Sequence, residues 1–290
     1  MLSFDRPVTL DKGLFSKPTS REEQYLLETN FMFPLVQGSK LSKFGVPTAD
    51  FFVPFPYDEG ERAPIPSINY GTGETLADRA LDMMTYFQDH QRILNAQSSY
   101  NGKIIGDEHN TEFYAIPRVG AYTFAEHFVA FRDNTKWGAC VISSQMTPWG
   151  EEKRPLFQKH AATISQRPDG TFISLEEAHY LCAIMNSPVV ERFILASNDK
   201  RSFKIKLPFK ISLFDAADSR HRKLSYLSKI AHEFVAQANP GAVSVLEVIG
   251  RLADALYLDI LRVRMCDTDI KTELEAEENM FYSNVMEYLG

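Results

Sequence analysis

Sulfur is scarce in this chain. Its three cysteines, Cys140, Cys182 and Cys266, are odd in number, far apart and without a CxxC pair, which argues against a disulfide framework and a structural zinc site. No run of about eighteen apolar residues occurs, and no basic segment leads into an apolar stretch and a small-residue cleavage site at the N-terminus. The expectation is a cytoplasmic protein with reduced thiols and no membrane partner. Net positive charge is also lacking: the formal charge is −7, where phosphate binding normally calls for a basic face. That deficit is local. Asp267, Asp269, Glu273, Glu275, Glu277, Glu278 and Glu287 stand against Lys271 alone, a net of −6 that leaves only −1 for residues 1–266.

What is abundant is apolar and aromatic material, 44% and 12% of 290 residues, enough for one large domain or two unequal ones. Pro7, Pro18, Pro34, Pro47, Pro54, Pro56, Pro64 and Pro66 break the opening stretch, within which Arg21–Thr29 could form a short helix. Asp50–Tyr57 (DFFVPFPY) reads as an extended edge strand, because two prolines remove backbone donors. After Thr75, apolar residues at three- and four-residue spacing predict one helix ending near Ala96. From Tyr114 to Ser144, YAIPRVG, YTFAEHFVAF and GACVISS predict two or three antiparallel strands.

Ser174 and Glu177 make a capping box for a helix from Leu175 to about Met185, and Ser187-Pro188 starts a second helix through Phe193. Phe203–Leu213 looks extended. Two amphipathic helices, around 219–238 and 243–264, are split by Asn239-Pro240-Gly241. The expected class is α+β: a sheet-containing recognition domain with peripheral helices and a C-terminal helical hairpin. Its expected parts are an irregular entry segment at 1–65, the recognition domain at 66–214, and a helical region with the acidic tail at 215–290.

Six segments, in this order, carry a resemblance: FPLVQGSKLSKF (Phe33–Phe44), FVPFPYDEG, the helix and loop ending near Tyr100, FYAIPRVGAYTFAEHFVAF (Phe113–Phe131), EAHYLCAIMNSPVVERFI (Glu177–Ile194), and FKIKLPFKISLFDAADSRHRKLSYLSKIAHE from Phe203. Together they resemble the C-terminal target-recognition part of adenine-specific DNA methyltransferases, including the Taq-type specificity domain and fused restriction-modification enzymes. The resemblance implies a module that reads double-stranded DNA for a methyltransferase catalytic domain or subunit. It departs from the family at Phe128, where related sequences often place a lysine after the YTFA strand.

Methylating a base amine needs a glycine-rich loop for the methyl donor and an Asn/Asp-Pro-Pro-aromatic turn, and the chain has neither. Asn186-Ser187-Pro188-Val189 lacks the second proline and the aromatic, and reads better as a helix cap. The resemblance therefore implies S-adenosylmethionine bound by the partner, with no cofactor and no catalytic residue in this chain.

DNA reading needs bases for phosphates and polar or aromatic side chains for base edges. Lys200, Arg201, Lys204, Lys206 and Lys210 are the densest basic stretch; strand alternation would put Ser202, Lys204 and Lys206 on one face, with Phe203 and Ile205 on the other. Such a stripe is either a phosphate contact or a solvated edge whose lysines deter aggregation. Arg92, Gln97, Ser98, Ser99, Tyr100, Asn101 and Lys103 form a helix end running into a polar loop, which is either a recognition loop or an ordinary turn. Arg118 with Tyr122 is the third candidate, against a structural salt bridge.

Asp133, Glu151 and Lys153 only loosely imitate a nuclease metal site, because Pro148-Trp149-Gly150 makes that region a turn. His127, His160 and His179 have no triad partners in the sequence, and Cys140 and Cys182 lie on apolar faces; core or surface roles suit all five. The C-terminal helices close the core or dock another subunit, and the acidic tail mimics phosphate, binds a partner or packs as a final helix. A second functional expectation is an assembly subunit of a DNA-modification or phage-defence complex.

Overall fold

The computed structural model describes residues 2–3, 25–69, 71, 73–100, 112–134, 136–197, 210–238, 242–261, 276 and 279, with backbone alone for 2, 3, 97–100 and 242. The fold is α+β. In chain order the first elements are β1 (Leu2–Ser3), β2 (Leu26–Leu27), β3 (Met32–Val36), β4 (Phe51–Pro54), α1 (Leu76–Arg79), α2 (Leu81–Asp89) and α3 (Gln91–Tyr100). The strands β5 (Phe128–Arg132), β6 (Ala139–Ile142), β7 (Gln145–Met146), β8 (Glu152–Lys153), β9 (Leu156–Phe157) and β10 (Ala161–Ile164) follow. The helices α4 (Leu175–Asn186), α5 (Pro188–Ser197), α6 (Ser219–Ala236) and α7 (Ala242–Ile260) complete the described elements.

The described residues group into two compact units. The first is drawn from within 1–37, 48–126 and 143–159, and the second from within 38–47, 127–142 and 160–290. Neither is one continuous stretch of chain.

In the first unit, β3 is the middle strand, antiparallel to β4 and parallel to β9. All five residues of MFPLV are buried, as expected of a strand covered on both faces. Pro34 stands opposite Phe52 of β4, and on its other side it lies outside the Leu35–Val36 stretch that β9 pairs. The DFFVPFPY segment supplies the edge strand β4, as its prolines predict. The short helix expected at Arg21–Thr29 is absent from its described part: Leu26–Leu27 pairs with Leu2–Ser3, and Leu27 is buried while Leu26 is half exposed, the alternation of a strand.

The single helix expected after Thr75 is three. Its start is as predicted, with Thr75 Oγ1 accepting from the Asp78 amide and Asp78 Oδ2 accepting from the Thr75 amide. Ala80 then leaves helical geometry (φ −155°, ψ 79°), and the amides of Asp82 and Met83 at the new N-terminus donate to Glu28, each at 2.9 Å. A remote carboxylate thus restarts the helix, which periodicity cannot reveal. Of the apolar positions that the spacing marks, Leu76, Ala80, Met83, Met84, Phe87 and Leu94 share one core with Leu27, Met32, Tyr86 and Tyr114, while Ile93 is exposed.

In the second unit, β5 lies between β10 and β6, antiparallel to both. Phe128 to Phe131 are all buried, and α4 packs against β5, β6, α5, α6 and α7. The free edge of β6 is closed by side chains: Ala139 N–H donates to Asn186 Oδ1 and Val141 N–H to His232 Nε2, both at 2.9 Å. Ser174 caps α4 through the Glu177 amide as expected, but the Glu177 carboxylate turns to Arg167. Pro188 opens α5 at the predicted place, and the Val189 amide is met by Asp254 of α7 at 3.0 Å. The helices expected near 219–238 and 243–264 are α6 and α7, which pack together.

Candidate nucleic-acid interface

Of the sequence-predicted contacts, Arg118 and Tyr122 are brought together. The stretch read as a YTFA strand is a 3-10 turn, Ala121–Phe124, whose entry is fixed by the Gly120 amide donating to Thr123 Oγ1 at 3.2 Å. Gly120 has no side chain for a reason: a Cβ there would stand 2.8 Å from the Tyr122 ring, which folds back over the turn. From that position the Tyr122 hydroxyl donates to the Arg118 carbonyl.

Arg118 itself occupies the left-handed region (φ 66°), which costs a side chain other than glycine about 1 kcal/mol. Its exposed guanidinium carries no hydrogen bond or ion pair among the described residues. Burial raises the Tyr122 pKa, and the positive charges of Arg118 and Arg62 oppose the rise. The salt-bridge alternative for Arg118 thus has no acid to act through among the described residues.

Two neighbours of this corner were not legible in the sequence. Arg154 follows β8 and grips Glu59 with both terminal nitrogens, at 2.8 and 2.6 Å, while its guanidinium carbon lies 4.7 Å from the Phe124 ring centre. Its Nη1 also reaches the Phe124 carbonyl at 3.5 Å. Arg154 therefore joins the Asp58–Arg62 loop to the Ala121–Phe124 turn. Arg62 lies in an acid-rich stretch, DEGER, which gave no basic signal.

Arg92 is exposed on α3 without a described partner. Ser99 and Tyr100 fall in the last turn of α3, where only the backbone is described, and Lys103 lies outside the described residues. Leu94 of α3 and Ile116, two residues before Arg118, line the same narrow apolar slot with Tyr86, Phe87, His90 and Tyr114. Lys200, Arg201, Lys204 and Lys206 lie outside the described residues, and Lys210 is exposed. Phe128, the departure from the family pattern, is 1% exposed at the start of β5, so that position holds core rather than a surface cation.

The remaining reactive side chains are engaged in structure. Glu151 accepts from the Trp149 indole at 3.0 Å and pairs with Lys153 at 3.3 Å, while Asp133 meets His160 Nδ1 at 3.0 Å. The Trp149 hydrogen bond holds the Glu151 carboxyl below its usual range. Cys140 and Cys182 are buried, and burial pushes the Cys140 thiol up to about 12. His179 Nδ1 lies 3.1 Å from the buried Ser228 hydroxyl, beside His232. Among the described residues, no group of three or more His, Cys, Asp or Glu could hold a metal ion, and no helix is long and apolar enough to cross a membrane. No protein-family model matches the chain, and no curated protein matches it.

Proposed function

We propose that this chain is a sequence-specific recognition module for double-stranded DNA, without catalysis of its own, working in the cytoplasm with an adenine methyltransferase or restriction-modification partner. The observation that supports it most is the Arg118–Tyr122 corner. An arginine held in an unfavourable backbone conformation, with its carbonyl engaged and its guanidinium unspent, is prepared for an outside acceptor.

Basic side chains would hold the duplex by its phosphates, and polar side chains near the end of α3 would meet base edges in the major groove. The partner would bind S-adenosylmethionine, extrude the adenine and methylate it. The order of the six family-like segments, Phe33–Phe44 to the stretch beginning at Phe203, supports the same reading.

Selection of a randomised duplex library on the purified chain at low salt tests the proposal. Enrichment of one short motif is expected. A library that stays random, or no duplex retention at all, overturns it.

A further inference from the structure

At Arg132 the strand β5 ends, and the chain entering β10 lies alongside: Ala161 pairs with Arg132, and the Asp133 amide donates to the His160 carbonyl at 3.5 Å. Four polar side chains meet there in a row. Arg132 Nε donates to Asn134 Oδ1 at 3.2 Å, Asn134 Nδ2 stands 3.3 Å from His160 Nδ1, and that Nδ1 donates to Asp133 Oδ1 at 3.0 Å. The Asn134 amide is thus lodged between guanidinium and imidazole, and Arg132 is held by its Nε. The two terminal nitrogens of Arg132 have no partner among the described residues, and neither has the side chain of Lys136. Lys136 is exposed, and its amide donates to the Asn134 carbonyl at 2.7 Å. Asp133 is the one acid in residues 128–142 and 158–165, and it is spent on His160.

We infer that Arg132, aimed by Asn134, and Lys136 contact the phosphate backbone of duplex DNA. This inference rests on the recognition reading and says where the module grips its duplex. A guanidinium with Nε taken and both terminal nitrogens open presents two parallel donors, the fork that a pair of phosphate oxygens accepts. Asn134, with His160 behind it, fixes that fork at a strand end in advance, so less freedom is lost on binding. A second cation follows four residues on, which suits a ligand whose charges repeat along a chain. A protein partner would call for an apolar anchor. The described residues of 128–142 and 158–165 include no exposed large apolar side chain.

The test measures full-chain binding to two fluorescein-labelled duplexes of unrelated sequence across a salt series, with melting curves for every variant. Arg132→Gln and Lys136→Ala should each lower the slope of log affinity against log salt by roughly 0.9, equally on both duplexes. Arg132→Lys should keep the slope. Asn134→Ala should also keep it while weakening binding severalfold, because the guanidinium loses its aim and retains its charge. If Arg132→Gln melts early, Lys136→Ala, at an exposed position, carries the test. Loss confined to one duplex with an unchanged slope would assign the row to base reading, overturning this inference and leaving the recognition module intact. Wild-type slopes in both neutral variants would place the phosphate contacts elsewhere and also overturn it. So would tighter binding of poly-glutamate than of either duplex, abolished by the same variants, which would assign the row to an acidic protein. A wild-type chain that binds neither duplex at low salt removes both readings.

Discussion

The Nε2 atom of His232 accepts the Val141 amide at 2.9 Å, while its Nδ1 lies 2.7 Å from the Ser228 carbonyl. Nδ1 must therefore carry the proton, and the neutral ring satisfies one strand amide and one helix carbonyl at once. The imidazole is part of the sheet edge in all but covalent origin. His232→Phe leaves the Val141 amide without an acceptor in a buried place, so we expect a loss of about 1–3 kcal/mol in urea unfolding. An unchanged midpoint would mean that water reaches this edge.

The same histidine pair makes stability depend on pH. Burial, with the nearby His232 charge second, pushes His179 down to about 3, and burial also lowers His232. A histidine whose folded pKa is depressed binds more protons when unfolded, so its contribution is fully present above about pH 6.5 and is lost as pH falls toward the folded value. Stability should therefore decline on acidification from about pH 6.5 toward 3, at up to about 1.4 kcal/mol per pH unit for each histidine. Unfolding free energies across that range check it, and His179→Phe should flatten the acid limb.

Glu177 is 3% exposed, and its carboxylate takes Arg167 Nε at 3.0 and 2.9 Å. Removing the arginine strands a buried charge, whereas Glu177→Gln removes the charge itself. Arg167→Ala should cost about 3 kcal/mol and clearly more than Glu177→Gln, as measured by chemical denaturation. The reverse order would show that water reaches the carboxylate at little cost.

Gly38 meets a backbone rather than a side chain. A Cβ there would stand 2.2 Å from the His160 carbonyl oxygen, and neither chain segment can swing aside like a rotamer. Gly38→Ala should destabilise by about 1–3 kcal/mol. A melting temperature equal to wild type would show that the segment at residue 38 can shift.

Local signals in the sequence located the elements well wherever their causes were local. Thr75 precedes a helix and Ser174 caps one through the Glu177 amide where read, and the prolines of DFFVPFPY mark an edge strand. The reading failed where a distant residue decides. Glu28, more than fifty residues away, restarts α2 after Ala80. At the candidate interface, Arg118 and Tyr122 were visible as a pair four residues apart. Arg62 and Arg154 were not, because their relation to that pair exists only through Glu59 and Phe124 in three dimensions.

The two units exchange chain five times, after residues 37, 47, 126, 142 and 159. This has a consequence for how such a protein can diversify. A single recombination event between two related genes, falling anywhere inside the 38–159 interval, would splice parts of both units from different parents and force two cores to repack at once. Variation should therefore accumulate by point changes at exposed positions such as Arg92 and Arg118, with the interleaved body inherited whole.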